Sequence, residues 1–394
     1  MNTQLEKLKR IAIFLAGIST ASIPSMAYAD WSILDLGTLG GDHSRALDIN
    51  DSGQVVGYSY MSDGSHHAFI TGSNGIGMTD LGTLGGSYSE ASGINDSGQV
   101  VGESSNTLGS SHAFITGPNG IGMTDLGTLG GNYSRADDIN DSGQTVGYLN
   151  TSGGSNHAFI TGPNGVGMTD LGTFGGLHSR AFGINNSGQA VGYSYTSDGF
   201  FHAFITGPNG VGMTDLGTIL GGGYSEASGI NDSGQVVGES THHPLSSFHA
   251  FVTGPNGIGM TDLSTLGGST SYATGINDSG EVVGSAGTAT GEWHSFIFSH
   301  GGITDLSILA PVVAAGWTNI IVNSINNNGQ MVGYGDHNGN SEAFLLSYTP
   351  DTVFDPKPIY MPVPEPDTYL MLLAGLGLIG YLAHRKKHGY LIQT

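Results

Sequence analysis

Residues 112–148 read HAFITGPNGIGMTDLGTLGGNYSRADDINDSGQTVGY, and close copies of this stretch recur along most of the chain. An Asp-Leu pair marks each copy, and successive pairs are 43 to 47 residues apart. The pairs begin at Asp35, Asp80, Asp125, Asp170, Asp215, Asp262 and Asp305. An Ile-Asn pair and a His-Ala-Phe or related tripeptide recur seven times at the same spacing. The sequence therefore consists mainly of one unit repeated seven times.

Each unit contains four short apolar runs separated by turn residues, and none of the runs has the length of a typical helix. HAFIT and GMTDL flank a Gly-Pro-Asn-Gly turn at residues 117–120, where Pro presets φ and Asn-Gly accepts positive φ. The Asn-Asp-Ser-Gly turn at residues 95–98 predicts a second hairpin in the same way. Four strands in about 45 residues are typical of a β-propeller blade.

The phase of the repeat indicates how the chain closes. The first copy begins at residues 31–36 without a His-Ala-Phe partner, and residues 342–346 supply an unpaired strand of that type at the far end. If the two pair, the chain ends complete one blade and leave no exposed terminal sheet edge. We therefore predict an all-β protein whose residues 30–348 form a closed seven-bladed propeller of four-stranded blades. A β-solenoid is the alternative.

Composition excludes several functional classes. The 394-residue chain has a formal net charge of −22, and residues 31–348 contain 26 acidic residues against Arg45, Arg135 and Arg180. Such a surface cannot track a phosphate backbone, so nucleic-acid binding is excluded. The chain has no Cys, which removes disulfides, thiolate metal sites and thiol catalysis. We predict no cofactor.

The N-terminus has the features of a secretory signal. Lys7, Lys9 and Arg10 precede an apolar run, and Ala27-Tyr28-Ala29 precedes Asp30. This order is typical of a signal peptide at residues 1–29, cleaved between Ala29 and Asp30. It predicts export through the Sec machinery.

The C-terminus begins with a Pro-rich linker at residues 349–366 and continues as a hydrophobic helix and basic tail at residues 367–394. Residues 369–383 carry no charge, and Arg385, Lys386 and Lys387 follow them. The basic cluster fits a cytoplasmic end, which would place the upstream chain outside the membrane. A plain membrane anchor is the alternative.

Two families resemble parts of the chain. Pro364-Glu365-Pro366, the short hydrophobic segment and the basic cluster resemble a PEP-CTERM sorting signal. That resemblance implies recognition by an exosortase and delivery to the surface or polysaccharide matrix of a Gram-negative bacterium, with at least transient membrane contact. The repeats at residues 31–348 resemble the HAF family of extracellular repeats, which brings no established catalytic residues.

The repeated polar residues do not form a recognisable catalytic or metal motif. The Asn-Asp-Ser-Gly turns match only the first half of a calcium loop. At the positions where such a loop needs a bidentate Glu, the chain has Ser59 and Leu149. Asx-turn chemistry explains the same residues without an ion. The histidine of each His-Ala-Phe copy is expected to pack or to form a strand-end hydrogen bond, since every blade repeats it. The Gly-rich DLGTLGG segments lack a following helix and a Lys, so no phosphate loop is predicted.

Departures from the repeat are concentrated in the links before the His-Ala-Phe strands. The candidate binding rim consists of Tyr195, Phe200, Phe201, His242 and His243, whose rings could stack on sugars. We predict a non-enzymatic, exported surface or matrix propeller with a structural or binding role. The alternatives are a polysaccharide hydrolase or lyase, for which no carboxylate pair stands out in the sequence, and a calcium-dependent adhesin.

Overall fold

The computed structural model describes residues 30–242 and 247–349, which form seven four-stranded antiparallel blades. The first strands of the seven blades contact one another in a closed ring and are therefore the innermost strands. A single parallel bridge between His66 and Tyr88 links the sheets of the first two blades. The predicted seven-bladed propeller is confirmed, and the solenoid alternative is wrong.

The blades are numbered in chain order, each from its innermost to its outermost strand. Blade 1 contains β2 (Ser44–Ile49), β3 (Val55–Tyr60), β4 (His66–Thr71) and β5 (Met78–Asp80). Blade 2 contains β6 (Gly85–Ile94), β7 (Val100–Asn106), β8 (Ser111–Thr116) and β9 (Met123–Gly127). Blade 3 contains β10 (Gly130–Ile139), β11 (Thr145–Thr151), β12 (Asn156–Thr161) and β13 (Met168–Gly172). Blade 4 contains β14 (Gly175–Ile184), β15 (Ala190–Thr196), β16 (Phe201–Thr206) and β17 (Met213–Asp215).

The remaining blades follow the same order. Blade 5 contains β18 (Ser225–Ile230), β19 (Val236–His242), β20 (Ser247–Thr253) and β21 (Met260–Asp262). Blade 6 contains β22 (Gly267–Ile276), β23 (Val282–Thr288), β24 (Trp293–Ser299) and β25 (Gly302–Asp305). Blade 7 contains β26 (Thr318–Ile325), β27 (Met331–His337), β28 (Asn340–Thr349) and, as its outermost strand, β1 (Asp30–Gly37). The short helices are α1 (Ala310–Ala314) and 3₁₀ turns at Ser73–Gly75, Pro118–Gly120, Pro163–Gly165, Pro208–Gly210, Ile219–Gly221 and Pro255–Gly257.

The two ends of the described chain close blade 7. Strand β1 pairs antiparallel with β28, from Asp30 opposite Thr349 to Asp35 opposite Phe344. This pairing occupies the edge that β28 would otherwise expose to other chains. The closure predicted from the phase of the repeat is confirmed.

The core lies between neighbouring blades and repeats with them. One Phe on the third strand of every blade is fully buried, namely Phe69, Phe114, Phe159, Phe204, Phe251, Phe296 and Phe344. Buried serines on the first strand join adjacent blades: the Ser89 hydroxyl accepts the N–H of Ala68 at 2.9 Å and donates to the carbonyl of Gly82 at 2.5 Å. Because each blade buries its apolar residues against the blades beside it, the seven units stabilise one another.

A glycine in the second strand permits the close pairing of the two inner strands. A Cβ at Gly102 would lie 1.9 Å from the carbonyl oxygen of Glu90, beside the bulge between Ala91 and Gly93. Equivalent glycines occur in every blade at Gly57, Gly147, Gly192, Gly238, Gly284 and Gly333. A glycine at this position is thus a steric requirement of the sheet.

Within residues 30–242 and 247–349, no helix is long and apolar enough to cross a bilayer. The predicted signal peptide, the Pro-rich linker and the C-terminal hydrophobic helix with its basic tail lie outside the described residues.

Candidate functional site

The propeller has two unlike faces. The Asn-Asp-Ser-Gly turns join the first and second strands on one face, which we call the turn face. The links between the second and third strands, such as the one between β15 and β16, lie on the opposite face, which we call the link face.

On the turn face, a ring of asparagines joins all seven blades. The Asn50 side-chain amide donates to the carbonyl of Asn95 at 3.0 Å, and the same contact continues around the axis until Asn326 donates to Asn50 at 2.9 Å. The members are Asn50, Asn95, Asn140, Asn185, Asn231, Asn277 and Asn326. The Oδ1 atom of each also accepts the backbone N–H four residues later, for example Gln99 on Asn95 at 2.9 Å. These amides therefore hold both the hairpin turn and the neighbouring blade.

The residue that follows the asparagine in each turn belongs to a second ring, which surrounds a cavity of about 170 Å³ on the axis. The backbone N–H of each ring residue donates to the Oδ1 atom of the ring residue in the following blade, at 2.8 to 3.1 Å. The ring consists of Asp51, Asp96, Asp141, Asn186, Asp232, Asp278 and Asn327. Burial, with the nearby charges of Asp51 and Asp141, raises the pKa of Asp96. The Oδ1 atoms of these turn residues therefore each accept a backbone hydrogen bond from a neighbouring blade.

The link face carries an aromatic cluster at blades 4 and 5. Tyr195 and Phe201 lie 5.6 Å apart, and Phe201 lies 4.9 Å from Tyr224. Phe200 packs 5.4 Å from Tyr224, and the exposed fractions of these two side chains are 41% and 36%. Tyr193 joins the cluster 5.3 Å from Phe201. We call these five residues the aromatic cluster.

The structure thus brings together three of the five predicted rim residues, Tyr195, Phe200 and Phe201. His242 ends β19, where its backbone pairs with Ser247. His243 lies outside the described residues. Sequence reasoning missed Tyr224, because it belongs to the repeat consensus and not to a variable link. A tyrosine recurs at the equivalent positions Tyr88, Tyr133 and Tyr224, and this recurrence could have indicated it.

The inner strands also carry charged pairs. Residues 88–104 and 224–240 have identical sequences, and each contains two glutamates directly opposite each other across the first two strands. In blade 2 the pair is Glu90 and Glu103, and Arg135 of blade 3 contacts them at 3.5 and 3.2 Å. In blade 5 the pair is Glu226 and Glu239. The position equivalent to Arg135 in the following blade is Tyr272.

The blade 5 pair consequently lacks a close cation. Among the described side chains, Glu226 and Glu239 form no ion pair and no side-chain hydrogen bond. Burial raises the pKa of Glu226 to about 7, although the charge of Arg180 partly opposes this effect. Burial and then the charge of Glu226 raise the pKa of Glu239 to about 8. Two neighbouring carboxyl groups therefore retain protons near neutral pH, a property that sequence reasoning did not identify.

The repeated histidines lie apart and each bonds within its own blade. In six blades, the Nδ1 atom of the third-strand histidine lies 2.6 to 2.9 Å from the aspartate of the Asp-Leu pair. The pairs are His67–Asp80, His112–Asp125, His157–Asp170, His202–Asp215, His249–Asp262 and His294–Asp305. This arrangement is the strand-end hydrogen bond expected from the sequence, not a ring of metal ligands.

Solved structures match the propeller fold. The chain is similar to the β-propeller domain of the Trilobed protease from Pyrococcus furiosus, with a TM-score of 0.54 and 10% identity over 82% of this chain and 99% of that one. That domain is described as having an open velcro topology. The chain is also similar to YCF48 bound to D1 peptide, with a TM-score of 0.51 and 15% identity over 85% of this chain and all of the other. At these identities the likeness shows the fold alone. No curated protein matches the chain.

The C-terminus matches a family model. Residues 362–386 fit the PEP-CTERM protein-sorting motif, which confirms the resemblance seen at Pro364-Glu365-Pro366 and the basic cluster. The motif implies export and exosortase-dependent sorting, and it covers only this short stretch. The chain is therefore a seven-bladed β-propeller that carries a PEP-CTERM sorting motif.

Proposed function

We propose that the protein is a non-enzymatic propeller, exported through a signal peptide at residues 1–29 and sorted by an exosortase to the cell surface or extracellular matrix, where the link face binds polysaccharide. The observation that carries the binding role is the aromatic cluster on the link face of an exported protein. The resemblance of the repeats to the HAF family remains a prediction that agrees with this location.

The chemistry of the aromatic cluster favours a sugar ligand. Phe200 and Tyr224 present exposed ring surface, while Tyr195 and Phe201 support them from the side. An aromatic face next to phenol hydroxyls can stack on the C–H face of a sugar ring and bond its hydroxyls. The strongly acidic propeller disfavours polyanions, so a neutral or cationic polysaccharide is the expected class.

Binding is tested with purified full-length protein on a glycan array, in calcium and in chelator. Phe200→Ala and Tyr224→Ala should each weaken binding at least tenfold. Leu108→Ala is the matched control, since Leu108 is an exposed apolar residue in the corresponding link of blade 2. Equal binding by all three variants would refute a ligand site at the cluster.

Sorting is tested separately in the native cell. Replacing Pro364, Glu365 and Pro366 with alanine should retain the protein in the membrane fraction. Replacing Pro356 and Pro358 of the linker is the matched control, because both lie before the motif. Unchanged release of the triple variant would argue against exosortase processing.

A hydrolytic role is the second candidate, and the carboxyl pair of blade 5 is the observation that favours it. Burial raises the pKa of both Glu226 and Glu239, and a carboxyl group with a raised pKa is suited to act as the general acid on polysaccharide. Reducing-sugar release from a bound polysaccharide, lost in Glu226→Gln and kept in Glu90→Gln, would establish this role. Binding without sugar release would support the non-enzymatic function.

A further inference from the structure

Blade 7 departs from the histidine–aspartate pattern of the other six. At the position of the third-strand histidine it has Glu342, and the imidazole comes instead from His337 at the end of β27. The aspartate of the Asp-Leu pair, Asp35 on β1, keeps its place. Two carboxylates therefore lie against the Nδ1 atom of one imidazole, where each of the other blades places one carboxylate against that atom.

The three side chains converge tightly. The Nδ1 atom of His337 lies 2.8 Å from Glu342 Oε2 and 3.4 Å from Asp35 Oδ2. One ligand atom from each residue lies within 4.8 Å of the other two. Asp35 Oδ1 accepts the N–H of Gly37 at 2.8 Å, which fixes the carboxylate and leaves Oδ2 directed at the group.

A buried tryptophan fixes the imidazole. Trp317 stacks on His337 with ring centroids 4.4 Å apart and an interplanar angle of 6°, and only 3% of Trp317 is exposed. Trp317 in turn packs edge-on against the fully buried Phe344. The ring is thus held before any ligand binds, as ligating histidines in metal sites are held by their surroundings.

We propose that Asp35, His337 and Glu342 bind a divalent transition-metal ion of the zinc class. One imidazole nitrogen and two carboxylate oxygens are the ligands that such ions accept, whereas calcium takes oxygen ligands only. The exposed fractions of the His337 and Glu342 side chains are 15% and 12%, and that of Asp35 is 36%, so the group is open to solvent on one side. A fourth position is free for water or a donor from another molecule.

The ion would link the two ends of the propeller. Asp35 belongs to the first strand of the chain, and His337 and Glu342 belong to the last two. Binding only to the closed blade stabilises closure, and saturating zinc at a hundred times the dissociation constant should raise the melting temperature by about 4 °C or more. The other six blades, whose first strand and last strand are joined covalently through the hairpins, need no such link.

The experiment titrates chelator-treated full-length protein with Zn²⁺ and, as a spectroscopic probe, Co²⁺. We expect one site with a dissociation constant in the micromolar range or below, a visible Co²⁺ spectrum and zinc-dependent thermal stabilisation. Glu342→Gln and His337→Gln should each weaken binding more than tenfold and abolish the spectrum. His112→Gln is the matched control, because it removes the imidazole of an ordinary pair in blade 2 and should bind zinc as the wild type does.

Circular dichroism in the absence of metal checks that each variant is folded. If Glu342→Gln does not fold, the test rests on His337→Gln. Absence of a stoichiometric site in the wild type would overturn the proposal and leave a hydrogen-bonded triad only. Equal loss of binding in His112→Gln would also overturn it, by assigning the zinc to dispersed surface histidines.

Discussion

The carboxyl pair of blade 5 predicts that removing one charge stabilises the protein, but only at high pH. The perturbation is Glu239→Gln, which keeps the shape of the side chain and removes its ionisation. In the folded protein the pKa of Glu239 is raised to about 8, from an ordinary value of 4.5. A carboxyl group of this kind binds its proton more tightly in the folded state than in the unfolded state. The carboxyl group therefore does not destabilise the fold below pH 4.5, and its free-energy cost grows as the pH rises towards 8.

The magnitude follows from the two pKa values. At about 1.4 kcal/mol per pKa unit, the rise corresponds to at most about 5 kcal/mol above pH 8. Glu239 is only half-buried, so water screens part of this cost. We therefore expect Glu239→Gln to raise the free energy of unfolding by about 2 kcal/mol at pH 8.5 and to leave it nearly unchanged at pH 4.5.

Denaturant unfolding followed by circular dichroism at pH 4.5, 6.5 and 8.5 measures this difference. Glu103→Gln is the matched control, since it lies in the identical sequence of blade 2 but receives Arg135 at 3.2 Å and the Tyr133 hydroxyl at 2.6 Å. It should lower the free energy of unfolding by about 1 to 3 kcal/mol at pH 8.5. The wild-type profile also contains Asp48, whose burial raises its pKa to about 6, so the comparison is made between variants. A stability change in Glu239→Gln that is the same at pH 4.5 and 8.5, or a gain in both variants, would refute the reasoning.

Three further changes to the sequence test the architecture. Asn95→Ala removes bonds to its own turn and to blade 3, and should cost about 2 to 4 kcal/mol in denaturant unfolding. Gly102→Ala places a Cβ 1.9 Å from the carbonyl oxygen of Glu90 and should lower the free energy of unfolding by more than about 3 kcal/mol. A Cβ at Gly109 would meet no atom within 4 Å, so Gly109→Ala should lower it by about 1 kcal/mol. Soluble yield and melting temperature distinguish the two variants. Deletion of residues 30–37 exposes the edge of β28 and should produce oligomers in light scattering, while a monomer would contradict the closure.

The fold could be predicted from the sequence because its determinants are local and repeated. Pro-Asn-Gly and Asn-Asp-Ser-Gly turns specify the two hairpins, and the incomplete units at residues 31–36 and 342–346 specify the closure. The contacts between blades could not be predicted in the same way. Tyr224 joins the aromatic cluster across a blade boundary, and the ring of Asp51 and its counterparts exists only once seven turns meet at one axis.

The two identical stretches at residues 88–104 and 224–240 show where sequence reasoning ends. They form the same strands with the same register, so local sequence determines the local structure. The surroundings of their glutamates nevertheless differ, because one pair meets Arg135 and the other meets Tyr272 from the next blade. Blade 7 differs for another reason, since its own sequence places Glu342 and His337 where the six sister blades have a histidine–aspartate pair. In a molecule of near-identical units, chemistry is therefore set by the neighbours at each blade interface and by departures from the repeat within a blade, and binding or catalysis should be sought at those two kinds of place.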